Sequence, residues 1–239
     1  MDWQLAIARN RDALLRMVAV LFALAGLCGH SVVDVLPRHV YRAVLLVLRP
    51  AESAVRRLII IAAHGLVLAP RSLRAAPVGL HQKPSAARQP GFRLIDPLKR
   101  FSPLAADNYD YDYAEEDEGH CGGNQAFPRI STPGFIDPVF RDAPLAPSLL
   151  DPIRAQHLCR RLIALKTALD SLPKQARRLA RWIARRDLVI QNRIRFHRYS
   201  PTRPGRPPGH RARPRHEVDT ILRECHALVL DLRAEADTS

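Results

Sequence analysis

Aromatic residues make up only 6% of the 239-residue chain, and glycine and cysteine are scarce too, with 11 and 4 copies. Few aromatics mean that any core is built from Leu, Ile, Val and Ala. The shortage of glycine excludes a collagen-like chain, and the shortage of cysteine excludes a disulfide scaffold. Lysine is as scarce as cysteine: Lys83, Lys99, Lys166 and Lys174 stand against a total of 37 basic residues, so nearly all the positive charge is arginine. Catalytic signatures are missing as well. No Gly-x-x-x-x-Gly-Lys loop, no Gly-x-Gly-x-x-Gly turn and no Gly-x-Ser-x-Gly elbow occurs. His216-Glu217 begins like a zinc-protease helix, but Thr220 holds the position of the second imidazole. The reading is therefore of a non-enzymatic chain with no catalytic, cofactor or metal residues assigned.

What is present is aliphatic and basic: 47% hydrophobic residues, a net charge of +14 and 20 prolines, very unevenly spread. Abundant aliphatics exclude full disorder. The fold class expected is mainly α, with N-terminal hydrophobic helices over residues 1–69, a long disordered Pro-rich linker over 70–150, and a small basic helical hairpin or three-helix bundle over 151–239. Basicity predicts attraction to polyanions and leaves two partners open, an anionic membrane surface or nucleic acid.

Residues 17–28, MVAVLFALAGLC, carry no polar side chain, yet 12 residues of helix span only about 18 Å of a roughly 30 Å hydrocarbon core. Extending the run over 13–33 reaches membrane length at the cost of Arg16, Gly29, His30 and Ser31. Three readings stand side by side: a membrane-embedded or membrane-lying helix, a cleaved signal peptide with the triplet Ala23-Leu24-Ala25, and a buried helix of a soluble bundle. Further on, Arg38, Arg42, Arg49, Glu52, Ser53, Arg56, Arg57 and His64 fall in one sector of a helical wheel whose remainder is apolar. Pro37 and Pro50 suit the first turns of two consecutive helices. A narrow basic face beside a broad aliphatic one suits a helix lying in a membrane interface, or equally one buried against its neighbours.

Between residues 70 and 152 there are 12 prolines and no lasting periodicity. The acidic stretch DNYDYDYAEEDE, residues 107–118, reads as a solvated loop of countercharge. In the last third, Asp151-Pro152 predicts a helix start, and Leu158, Leu162, Leu165, Leu169 and Leu172 form one seam. Pro173 ends that helix and opens the next, in which Ala176, Leu179 and Ile183 continue the seam. A third helix is expected from about Glu217, with Val218, Ile221, Leu222, Cys225, Val229 and Leu232 inward. Cys159 and Cys225 read as core residues and Cys121 as a loop thiol. Each of the four cysteines has a histidine within two residues, but none shows the paired spacing of a zinc site.

The strongest functional signal is basic. Lys174, Arg177, Arg178, Arg181 and Arg185 recur at three- and four-residue steps opposite Leu179 and Ile183, which gathers their charge on one stripe. Arg203 and Arg206 follow in RPGRPPG, a weak likeness to an AT-hook interrupted by Pro204. These seven residues form the candidate polyanion-binding set. LPRHVYRAVLLVLRP with SAVRRLIIIAAHGL, PRISTPGF, LPKQARRLARW, RPGRPPGH and HEVDTILRECHAL resemble a group of uncharacterised alphaproteobacterial proteins. The resemblance implies a bacterial setting and carries no activity. The function expected is a membrane-associated scaffold or adaptor on the cytoplasmic side of the bacterial inner membrane. The alternative is a soluble cytoplasmic protein that binds nucleic acid without sequence specificity.

Overall fold

The computed structural model describes residues 2–27, 33–66, 68, 91–97, 148–192 and 200–238. Met1–Asp96 and Ser148–Ser239 form one compact unit, to which nearly all of these residues belong. The acidic stretch 107–118, Cys28, Cys121 and most of the expected linker lie outside the described residues. Within the unit the protein is mainly helical: α1 (Trp3–Leu24), α2 (Arg38–Ala63), α3 (Gln156–Asp170), α4 (Leu172–Gln191) and α5 (Glu217–Thr238), with a two-stranded ribbon of β1 (Val35–Pro37) and β2 (Pro152–Arg154).

Helix α1 starts on Asp2, whose side chain accepts from the Gln4 and Leu5 amides at 3.1 Å. It stops at Leu24 because Gly26 takes φ +66° and closes a Schellman motif: Gly26 N donates to Ala23 O and Leu27 N to Phe22 O. The longer reading of residues 13–33 as one apolar helix is thereby corrected, since its helical part ends at Leu24. No helix among the described residues is long and apolar enough to cross a membrane. Leu14, Val18 and Leu21 face the core, while Leu5, Val20 and Leu24 point outward.

Helix α2 is the axis of the unit, and α1, α3, α4 and α5 all pack against it. Its 26 residues run unbroken for about 39 Å, with Pro50 inside the helix and Pro37 in the strand before it. The expectation of two helices fails here because a distant residue meets the need that proline creates. Proline lacks the N–H that would bond the Leu46 carbonyl, and the Arg211 guanidinium donates to that carbonyl instead, at 3.2 Å. Gly209, at φ +78°, lets the chain pass so close that a Cβ there would stand 2.6 Å from Pro50 N. Its turn, with His210 N donating to Pro207 O at 3.1 Å, places Pro208 and Gly209 where a type II turn requires them.

Residues 151–154, expected to open a helix, are extended. Val35 pairs with Arg154, Leu36 with Ile153 and Pro37 with Pro152, and α3 begins only at Gln156. The carbonyls of Asp151 and Leu149 accept from Arg38 N and His39 N. The first turn of α2 is therefore capped by main chain from far along the sequence, which a local capping pattern does not reveal. The leucine seam of α3 and the inward set of α5 are buried as expected, and Pro173 sits in the first turn of α4. The N- and C-terminal helical regions share one hydrophobic core, so the last three helices close on α2 and not on themselves alone.

Candidate functional site

Lys174, Arg177, Arg178, Arg181 and Arg185 are all exposed on α4, while Leu172, Ala176, Leu179 and Ala180 are buried on its other side. A residue rise of about 1.5 Å spreads the five cations over roughly 16 Å, close to three turns. Arg178 also donates to the Phe92 carbonyl at 3.0 Å and so holds segment 91–97 against the helix. Arg203 and Arg206 are not part of this stripe. They belong to a pair of Pro-Gly turns folded against α5, where they line a cleft with Arg233. An AT-hook needs an extended backbone, so the turns at Gly205 and Gly209, both at positive φ, correct that likeness.

The middle of the α2 sector, Glu52, Ser53, Arg56 and Arg57, faces inward, while Arg42 and His64 towards its ends are exposed. Arg57 is 0% exposed and so is Asp96, and they meet at 3.0 Å between Nη2 and Oδ2. Arg57 Nη1 donates to Ser53 O at 2.8 Å and to Ser53 Oγ at 2.6 Å, and its Nε donates to His226 Nδ1 at 3.4 Å. Arg56 lies 3.6 Å from Asp96 Oδ1 and 3.4 Å from Glu52 Oε2, with its Nε on the Arg93 carbonyl at 3.0 Å and its guanidinium over the Phe92 ring. Arg161 of α3 grips Glu52 with two bonds of 3.0 and 3.2 Å. Of the two alternatives for α2, burial against its neighbours holds for the stretch that carries Glu52, Ser53, Arg56 and Arg57. The reason is energetic: four other helices cover it, and a buried guanidinium is tolerated only when carboxylates and carbonyls surround it.

The network also corrects the linker at one place. Residues 91–97 lack helix or strand, yet Phe92, Leu94 and Asp96 are buried, and Asp96 N donates to Pro201 O at 2.8 Å. Asp96 was not among the residues singled out from the sequence. Its only local signal is a lone acid in the apolar stretch Phe92-Arg93-Leu94-Ile95-Asp96, and the i, i+4 pairs Glu52/Arg56 and Ser53/Arg57 are equally common on wet helix surfaces. Burial pulls the Arg57 guanidinium below its ordinary value, with Asp96 acting in the opposite direction. Such a closed set of paired charges fastens α2, α3 and segment 91–97 together. Its charged groups are all buried or nearly so.

Cys159 and Cys225 are buried core residues. Desolvation pushes the Cys225 thiol up to about 12, which keeps it protonated and unreactive at neutral pH. Asp219 accepts from Arg215 N and His216 N and so caps α5, which accounts for the His216-Glu217 start without a metal. Among the described residues no three His, Cys, Asp or Glu side chains are grouped to hold a metal ion. Comparison with protein families, curated proteins and solved structures finds no match to the chain.

Proposed function

We propose that this is a non-enzymatic helical scaffold that docks, through the α4 stripe, on the anionic lipid surface at the cytoplasmic face of a bacterial inner membrane. The observation that carries the reading is the placement of Lys174, Arg177, Arg178, Arg181 and Arg185 together on an exposed face of a helix whose opposite face is in the core. Cations held in line on a rigid element act together, and each contributes about 1 kcal/mol next to an anionic leaflet. The outward side of α1 supplies a second, apolar support: Ala19, Val20, Ala23 and Leu24 are exposed side by side at the end of the hydrophobic run, next to the exposed Arg16.

The nucleic-acid reading keeps one observation in its favour, the further exposed arginines Arg206, Arg213 and Arg215 on the arm before α5. Phosphates of either polyanion would draw the same stripe, so both are placed in one test. Flotation with vesicles containing anionic phosphatidylglycerol, and titration with duplex DNA, are run on the full chain across a salt series. Binding to the vesicles that weakens with salt and exceeds binding to DNA is the expected result. For DNA, five phosphate contacts correspond to a log-log salt slope of about −4 to −5, and Arg177→Gln, Arg178→Gln and Arg181→Gln together flatten it by roughly two to three units. Failure of the triple variant to weaken vesicle binding would overturn the reading, as would stronger binding to DNA than to vesicles.

A further inference from the structure

The turns at 203–210 fold back on α5 and enclose a cleft of about 350 Å³. Val229, Leu230, Pro204 and Pro207 give it apolar walls, and Arg203, Arg206 and Arg233 bring three guanidinium groups to it. His210 and His226 complete the polar lining, and no acid lines the cleft. Two of the three cationic side chains, Arg203 and Arg233, are set in place by the fold. Arg233 donates to the hydroxyls of Ser200 and Thr202, and Arg203 Nε donates to the Arg206 carbonyl at 3.0 Å across the Pro204-Gly205 turn. Gly205 adopts φ +77° with open space around it, so the glycine is required by the turn alone.

The histidines add direction. Arg57 donates to His226 Nδ1, which leaves the ring neutral with its proton on Nε2, a hydrogen-bond donor. His210 Nδ1 is buried and has no hydrogen-bond partner. The surroundings are electropositive: burial lowers the His226 pKa, and Arg57, His210 and Arg233 lower it further, with only Asp96 opposing among the named causes. A concave site with three cations, two of them held in place, an unmatched polar atom and apolar walls is complementary to an anion carried on a small hydrophobic body.

We propose that this cleft is a binding site for a phosphate monoester of a small, largely apolar molecule. Guanidinium groups arriving from both the turn and α5 match the several oxygens of a phosphate dianion better than the two of a carboxylate. Val229 and Leu230 would meet the apolar part, and the size suits a single ring or short chain, at the lower end of ordinary ligand sites. The site is separate from the α4 stripe, no residue of which lines it.

The test is calorimetric titration of the full chain in phosphate-free buffer with phenyl phosphate, inorganic phosphate and neutral benzyl alcohol. Phenyl phosphate should bind saturably and more tightly than inorganic phosphate, and benzyl alcohol should give no binding heat. Arg206→Gln changes an exposed residue outside the core, so it should weaken phenyl phosphate at least about tenfold while leaving the thermal melt unchanged. Leu230→Ala should weaken phenyl phosphate and spare inorganic phosphate. The triple substitution in the α4 stripe should leave both unaffected, which separates this site from the proposed docking surface. Competition by vesicles containing phosphatidic acid would assign the monoester to a lipid headgroup, and its absence to a soluble ligand. Absence of saturable binding up to about 10 mM phenyl phosphate, or wild-type affinity in Arg206→Gln, would overturn the proposal.

Discussion

Replacing Asp96 with Asn removes one negative charge from a place where water cannot compensate. Arg57 and Asp96 are both 0% exposed, and Arg56 beside them is nearly so. In the wild type, Glu52 pairs with Arg56 and Arg161 while Asp96 pairs with Arg57 and lies near Arg56; after the change, Glu52 still serves Arg56 and Arg161, but Arg57 loses its carboxylate. Removing one member of a buried pair costs about 3–5 kcal/mol, because the remaining ion is left desolvated. Asn keeps an oxygen that accepts from Arg57 Nη2, so the expected loss lies near about 3 kcal/mol, whereas Asp96→Ala lies near about 5. For a folded unit of this size, about 3 kcal/mol corresponds to a fall in Tm of roughly 6–12 °C. Thermal and urea unfolding of the full chain, followed by circular dichroism at 222 nm, measures it. The double variant Arg57→Met with Asp96→Leu, which removes both charges and fills the space with apolar atoms, should recover a large part of the loss. A loss below about 1 kcal/mol in Asp96→Asn would refute the view that this ion pair holds segment 91–97 and α2 together.

Two further outcomes follow from the same geometry. Gly209→Ala should cost clearly more stability than Gly205→Ala: both pay about 1–2 kcal/mol for a positive φ, but only at 209 does the new Cβ run into the backbone of Pro50. Equal shifts in Tm would show that the close approach to α2 is unimportant. His157 and His226 have lowered pKa values, chiefly from desolvation, so the unfolded chain takes up their protons first. Their contribution is complete above the unfolded value of about 6.5 and is lost as pH falls through the lower folded value. Tm should therefore drop from pH 7.5 to 5.5, and His226→Gln should make that drop smaller; an unchanged drop would remove His226 from the account.

How much was legible in the sequence differs from element to element. The seam of Leu158, Leu162, Leu165, Leu169 and Leu172 and the inward set of α5 were readable because helix periodicity alone decides which residues share a face. Pro173 and Glu217 marked helix starts through chemistry confined to a single turn. The stripe on α4 was readable for the same reason: its five cations alternate with the apolar positions that must be covered, so burying Leu179 and Ala176 turns them out.

Tertiary structure decided the rest, wherever a residue's state depends on a partner far along the chain. Pro50 stays inside α2 because Arg211, 161 positions later, takes the carbonyl that proline leaves free. Residues 152–154 are a strand because β1 offers them an edge, and segment 91–97 is docked because two buried arginines need Asp96. Arg56 and Arg57 look the same in sequence whether they face water, lipid headgroups or a carboxylate. Periodicity groups side chains on a face of a helix, but only the packing of the other helices determines what that face meets.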